Sequence, residues 1–509
     1  MSHWIIAPVV LPAVLAALLT LSMRYRPTLQ RVFSVAGTSI VLAITLALMA
    51  QAATGAIEIY ELGNWPAPFG IVLVLDRLSA LMVALTAALA LVVLLYAIGT
   101  GWDQRGRNFH ALFQFQLMGI FGAFLTGDAF NLFVFFEVLL IASYGLMIHA
   151  GGRRRFKAGV QYVIYNLLGS TLFLFALGTL YAVTGTLNMA DLALRAAEIQ
   201  IEDSALLRVG AMLLFLVFAI KAALLPLHFW LPETYAEAPA PVAALFAVMT
   251  KVGAYAVLRF YTLVFGPDLG ATADLIDQLL LYGALLTLAV GMIGILGAKR
   301  LGRLAAFAAI GSMGTVMIAM SGFTPATTSA TIYYMIHSTL AGALLFLVVD
   351  LVRERRGEIA GALRPGPQMP QHGMITALFF ATAIATAGLP PLSGFIGKLL
   401  VLDAVREMPQ VWLIWTVILT TSLVAVLGFV QAGSVIFWKT EAPNPTPTEA
   451  DPRAEPSSHS ALSMVACFAL LAGIVALAVF AGPVMGYVYA TAGQLHDPND
   501  YITAVLGQR

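Results

Sequence analysis

Five ionisable side chains lie where an otherwise apolar chain would carry none. Glu137, Lys221, Lys251 and Lys398 are the formally charged residues inside fourteen stretches long and apolar enough to cross a bilayer, and His337 occupies the middle of the eleventh. On insertion scales a charge at the centre of a membrane helix costs about 2.5 to 3.5 kcal/mol, so four unpaired ones would cost about 10 to 14 kcal/mol. That rivals the whole stability of an ordinary domain. The other Asp, Glu, Lys and Arg residues fall in the loops, so charge is tolerated in the membrane only at chosen depths, and the default reading is a path for protons or ions.

Amines and imidazole suit protons. An ammonium taken out of water gives up its proton more readily, so three buried lysines could form a relay at physiological pH. His337, in Tyr333-Tyr-Met-Ile-His337-Ser-Thr, titrates near neutrality unperturbed and joins them. Glu137, in Asn131-Leu-Phe-Val-Phe-Phe-Glu137, would be kept ionised by a cation such as Lys221. Blander readings stand beside these: a structural ion pair for Glu137, snorkelling for Lys221 or Lys398 near a span end, and a satisfied core residue for His337. Lys251, nearer the middle of its stretch, fits snorkelling less well. Neighbouring helices pack about 8 to 10 Å apart, so one or two waters could link such groups. His228 could feed the path from the cytoplasm, whereas His110 and His149 at span ends, and His372, His459 and His496 at exposed positions, have weaker claims. Sodium wants several hard oxygen ligands, and the spans offer one carboxylate against three amines and an imidazole. Protons are therefore expected to move here and sodium mainly elsewhere in an assembly, unless carbonyls at broken helices coordinate a cation.

The elements that must hold these residues follow from hydropathy. The stretches run over 4–23, 32–53, 78–100, 109–127, 129–148, 159–184, 209–226, 239–258, 278–297, 304–321, 328–349, 373–402, 412–438 and 461–485. Two are broken. The seventh ends in Leu225-Pro226-Leu-His-Phe-Trp-Leu-Pro232, with a second half to Ala236, and the twelfth is interrupted by Gly388-Leu-Pro-Pro-Leu-Ser-Gly394. Pro226 frees backbone polar groups one turn from Lys221, and such groups are tolerated at membrane depth only inside protein or beside water. The breaks lie five spans apart, hence in helices of opposite direction, which predicts two inverted five-helix repeats. The expected organisation is 1–108 (first three helices), 109–265 (helices 4 to 8), 266–440 (helices 9 to 13), a flexible cytoplasmic loop at 441–460 rich in Pro, Glu and Ser, and 461–509 (last helix and tail).

Loop charges set the orientation. Arg24, Arg26 and Arg31, then Arg105 and Arg107, Arg153 to Lys157, Lys299 to Arg303, and Arg353 to Arg364 occupy alternate loops, which places these inside and both termini outside. The intervening loops are acidic, with Glu58, Glu61, Asp191, Glu198, Glu202, Asp203, Asp268, Asp274 and Asp277. Glu233 and Glu237 break the pattern on the cytoplasmic side, as solvated charges or as a proton entry.

Composition closes off other classes. With 60% hydrophobic and 10% charged residues, the chain differs from a soluble domain, in which about 25% are charged. A net charge of +1 leaves no footprint for nucleic acid, and the single Cys467 excludes an intramolecular disulfide and a cysteine-based metal site. The first apolar run lacks a positive segment before it and reads as a helix rather than a cleaved signal. Gly394-Phe-Ile-Gly397-Lys398 has the wrong spacing for a phosphate loop, no metalloprotease or nucleophile-elbow motif occurs, and no cofactor is expected.

Four strings carry a family resemblance: Leu125-Thr-Gly-Asp-Ala-Phe-Asn-Leu-Phe-Val-Phe-Phe-Glu137, Lys221-Ala-Ala-Leu-Leu-Pro226-Leu-His-Phe-Trp-Leu-Pro232, Ala238-Pro-Ala-Pro-Val and Gly388-Leu-Pro-Pro-Leu-Ser-Gly-Phe. Over nearly its full length the chain resembles the antiporter-like subunits shared by Mrp-type multisubunit Na+/H+ antiporters and respiratory complex I. Pro68-Phe-Gly-Ile-Val-Leu-Val-Leu-Asp76-Arg-Leu-Ser-Ala looks most like the Mrp D subunit, with the complex I proton-pumping subunit second. The resemblance implies an all-α membrane protein of about fourteen helices with inverted repeats. It also implies other antiporter subunits as partners in the cell membrane. For the site it implies Glu137 as the glutamate that tunes Lys221, Lys251 as the central lysine, His337 as the relay residue after it and Lys398 as the far-end lysine. A secondary transporter subunit, a redox-pump subunit and a passive scaffold with merely structural charges are the three classes to separate.

Overall fold

The computed structural model describes residues 2–266, 269–272, 275–439 and 461–507. All fourteen apolar stretches fold as helix. The chain begins with α1 (Ala7–Leu21) and α2 (Pro27–Ala52), crosses an antiparallel hairpin of β1 (Glu58–Glu61) and β2 (Val72–Leu75), and continues through α3 (Arg77–Gly99), α4 (Phe109–Leu125), α5 (Ala129–Met147) and α6 (Arg153–Thr184). After a short α7 (Met189–Glu198), the seventh stretch is split into α8 (Ala205–Lys221) and α9 (Leu231–Glu237), followed by α10 (Ala240–Leu263). Next come α11 (Asp277–Gly297), α12 (Leu301–Met320) and α13 (Pro325–Arg355), then a second split pair, α14 (His372–Ala387) and α15 (Ser393–Ala404), and α16 (Val411–Gly433). The chain ends in α17 (Ala461–Val479), α18 (Ala481–Leu495) and α19 (Pro498–Leu506). Among the described residues, ten helices of at least 18 residues are apolar enough to cross a membrane, and α1, α4 and α14 are shorter apolar helices.

Capping fixes several starts. Asp76 accepts a bond from the Ser79 amide at 2.8 Å while the Ser79 hydroxyl accepts one from the Asp76 amide at 2.9 Å, so two orphan donors of α3 are satisfied reciprocally. Asp128 caps α5 in a similar way, accepting from the Asn131 amide at 2.7 Å.

The same order of neighbours occurs twice. α4 packs on α5, α5 on α6, α6 on α8, α8 on α10, and α10 returns to α4; likewise α11 packs on α12, α12 on α13, α13 on α14, α14 on α16, and α16 returns to α11. The sets meet where α10 packs on α13. α10 is enclosed along its apolar length, by α3, α4, α8, α12 and α13, so polar groups on it face protein rather than lipid.

Several sequence expectations change. The last stretch is not one helix over 461–485, because it breaks at Phe480 between α17 and α18. α10 runs past the expected end at 258 and α13 past 349, which brings Arg259 and Asp350 into helices as further buried charges rather than loop residues. A hydropathy window stops at the first charge, whereas a helix enclosed by protein can continue through one that is paired. The expected loop at 441–460, with His459, lies outside the described residues, as do Asp268 and Asp274.

Candidate proton path

Lys221 is the last residue of α8, only 6% exposed, and its amine donates to Asn166 Oδ1 on α6 at 2.9 Å. There it meets the negative end of the α8 dipole, which favours a cation. Other backbone groups around the break are taken up by side chains. The Trp230 indole donates to the Ile220 carbonyl at 2.9 Å, and the Leu225 amide donates to the Thr287 hydroxyl of α11 at 2.8 Å. A threonine from the second helix set thus completes the break in the first.

Glu137 is half-buried on α5 and accepts a hydrogen bond from the Ser170 hydroxyl of α6. The expected direct partnership with Lys221 is not formed as an ion pair among the described residues, although the Glu137 charge acts on Lys221. The structural-lock reading of Glu137 loses its basis here. Ser170 and Asn166 stand one turn apart on the same face of α6, so a hydroxyl that holds the carboxylate and an amide that holds the amine share one helix face. Both were missed in the sequence. The available signal was a pair of polar residues at i and i+4 in an apolar span.

Lys251 sits at the middle of α10, buried, where that helix passes closest to the α8 break. At Gly253 an added Cβ would stand 2.8 Å from the Ala222 nitrogen and 3.0 Å from the Lys221 carbonyl carbon, so only glycine permits this approach. The charge of Lys251 also acts on His337, as does that of Lys398 from the other side.

His337, on α13, is 1% exposed and held by the second break. Its Nδ1 lies 2.9 Å from the Ser393 hydroxyl at the start of α15. Lys398 donates to the Ala387 carbonyl and to the Ser422 hydroxyl of α16, both at 2.7 Å. The second break therefore holds both side chains, His337 through Ser393 and Lys398 through the last carbonyl of α14. Glycines make room for this: Gly388, at φ 77°, would place a Cβ 2.6 Å from Lys398 Cδ, and Gly394 would place one 2.9 Å from His337 Nε2.

The remaining candidates are placed otherwise. Glu237 pairs with Arg300 at 2.5 Å and Glu233 with Arg303, so neither is a free solvated charge; together they staple α9 to the start of α12. His228 is buried in the α8–α9 break, and its Nδ1 has no partner among the described residues. His110 lies 3.2 Å from Asp103, and His149 bonds the Trp102 carbonyl at 2.8 Å. His372 and His496 are half-buried rather than exposed, the latter bonded to Thr328 at 2.9 Å. Two buried clusters were not anticipated. Arg259 pairs with Asp76 at 2.5 Å, and Asp350 accepts from Trp102 at 2.8 Å and from Tyr96 at 3.0 Å.

Residues 126–424 match the membrane family described as NADH:quinone oxidoreductase/Mrp antiporter. The chain belongs to this family. Within the NADH:quinone oxidoreductase/Mrp antiporter family it is similar to the D subunit of a probable K+/H+ antiporter of Rhizobium meliloti, at 38% identity over 99% of this chain and 98% of that protein. It is similar also to the D subunit of the Na+/H+ antiporter of Bacillus subtilis, at 36% identity over 99% of this chain and 100% of that one. Among solved structures of the family, a chain of the Mrp complex from a Dietzia species superposes with a TM-score of 0.89 at 27% identity, covering 100% of both chains. The family match begins at the turn before α5 and ends within α16, so it takes in all five ionisable residues of the path.

Proposed function

We propose that this chain is the proton-conducting subunit of a multisubunit cation/proton antiporter, a secondary transporter component rather than an enzyme in its own right. Protons pass along Glu137, Lys221, Lys251, His337 and Lys398, with waters between groups that do not touch. The observation that carries this reading is His337. It is buried on α13, the helix that meets α10 of the other set, and its ring is held by the Ser393 hydroxyl at the second helix break. A passive scaffold gives no reason to spend three amines and an imidazole at these depths.

The relatives bear different cations in their names, potassium for one and sodium for the other. That supports a shared proton path in this subunit and a cation choice made mainly elsewhere in the assembly. The same reading takes 109–265 and 266–440 as the inverted repeats, other antiporter subunits as partners, and the cell membrane as the site. The arginine-rich side faces the cytoplasm and both termini face outside. The family also takes in NADH:quinone oxidoreductase subunits, so the proton-pumping subunit of complex I is the second reading. Co-purifying subunits separate the two.

The deciding experiment is Lys251→Ala in the assembled complex, with exchange followed by a pH-sensitive dye in inverted vesicles. Exchange is expected to vanish while the subunits still co-purify. Normal exchange would refute the relay.

A further inference from the structure

One way from the midplane to the outer face would run up α10. Lys251, Tyr255 and Arg259 follow one another along one side of that helix, each about one turn further outward. Arg259, 4% exposed, donates through Nη2 to the Tyr255 hydroxyl at 3.2 Å and through Nη1 to Asp76 at 2.5 Å. Tyr255 spends its own proton on the Phe124 carbonyl at 2.6 Å. From the C-terminal helix α19, the Tyr501 ring covers the guanidinium at 5.3 Å. Beside the pair lies a cavity of only about 10 Å³, room for about one water.

Resting on the proposed proton path, we infer that Arg259, anchored by Asp76, is an outer-side seal that stops protons on Lys251 from leaving along α10 and commits them sideways to His337. A guanidinium offers donors and no acceptor, so Arg259 itself cannot take up a proton moving outward from Lys251. The Tyr255 oxygen already accepts from Arg259, and its hydrogen is engaged by the Phe124 carbonyl, so the hydroxyl is not free to turn and pass a proton on. A fixed cation in a narrow passage also repels an incoming proton or metal cation. By contrast, a cavity of about 1270 Å³ lies on the same side at the end of α15, the helix of Lys398, with Asp403 and Glu407 in its lining. Open space thus lies at the outer end of the Lys398 helix, and little lies beside Arg259.

A structural role would be to tie α3 to α10, and the test must separate the two. The double variant Asp76→Asn/Arg259→Met removes both charges and leaves none uncompensated, a replacement that buried pairs often tolerate. In the reconstituted complex, with a pH gradient imposed and no exchangeable cation present, its proton leak is expected to rise about tenfold, the factor that about 1.4 kcal/mol of lost barrier gives. Adding Lys251→Ala to that background should return the leak to the wild-type level. An assembled double variant without extra leak overturns the seal, as does a leak that Lys251→Ala leaves unchanged. If Lys251→Ala alone abolishes exchange and the double variant does not leak, only the seal fails; if Lys251→Ala alone leaves exchange intact, the path itself fails. A second measurement does not need the double variant. Tyr255→Cys in the otherwise native complex should resist an impermeant thiol reagent added outside, and rapid labelling there overturns the seal.

Discussion

Gly388→Ala tests the geometry of the second break directly. The residue sits at φ 77°, where an alanine is strained by about 1 to 2 kcal/mol. Its Cβ would also stand 2.6 Å from Cδ, 2.9 Å from Cε and 3.2 Å from Nζ of Lys398. The middle of the side chain must therefore move, not its free end alone. The amine is held by two bonds of 2.7 Å, to the Ala387 carbonyl and the Ser422 hydroxyl, and a displaced stem cannot keep both. A hydrogen bond to a charged group contributes about 1.5 to 3 kcal/mol. If one is lost and the cost falls on proton transfer, the rate drops by about one to two powers of ten. Exchange in inverted vesicles, read by a pH-sensitive dye after cation addition, should fall by at least about tenfold while the subunits still co-purify. Gly482→Ala is the control, because a Cβ there meets nothing within 4 Å, and it should exchange as wild type. An assembled Gly388→Ala complex with unaltered exchange would show that the seat of Lys398 does not matter for transport.

Further expectations come from other parts of the path. Ser170→Ala and Asn166→Ala should each reduce exchange, about tenfold or more for Asn166, which holds the Lys221 amine in a buried site where a charged hydrogen bond contributes about 1.5 to 3 kcal/mol; full activity in both would remove α6 from the relay. Gly394→Ala should both destabilise and inactivate, since the new methyl group would press on the Ala385 carbonyl and stand 2.9 Å from His337 Nε2, and overpacking of this kind costs about 1 to 3 kcal/mol, readable as a lowered melting temperature. Asp128, in the turn before α5, is pushed up to about 6 by burial, so the folded chain binds a proton that the unfolded chain releases near 4. Stability should therefore fall as pH rises from about 4 to 6, and Asp128→Asn, which keeps the cap, should flatten that slope in melting scans; an unchanged slope would contradict the assignment. A cysteine replacing Glu58 should react with an impermeant reagent from outside and one replacing Arg154 only after the cells are opened, and the reverse would invert the topology.

Depth was legible in the one-dimensional chain. A buried charge is costly and a proline or glycine pair interrupts helical hydrogen bonding wherever it occurs, so the five ionisable residues and the two breaks stood out before any contact was known. The spacing of the breaks is the ground for expecting two opposed helix sets. Rotation about each helix axis and the identity of the neighbour belong to packing, and these only the tertiary structure decided. Nothing near Glu137 in the chain indicates that it is held by Ser170 of α6, one turn from the Asn166 that holds Lys221, or that Thr287 of α11 completes the first break. The same holds for the ends of enclosed helices. Arg259 looked like a loop charge because hydropathy counts its cost, and it lies inside α10 because Asp76, far off in the chain, supplies the carboxylate that offsets it.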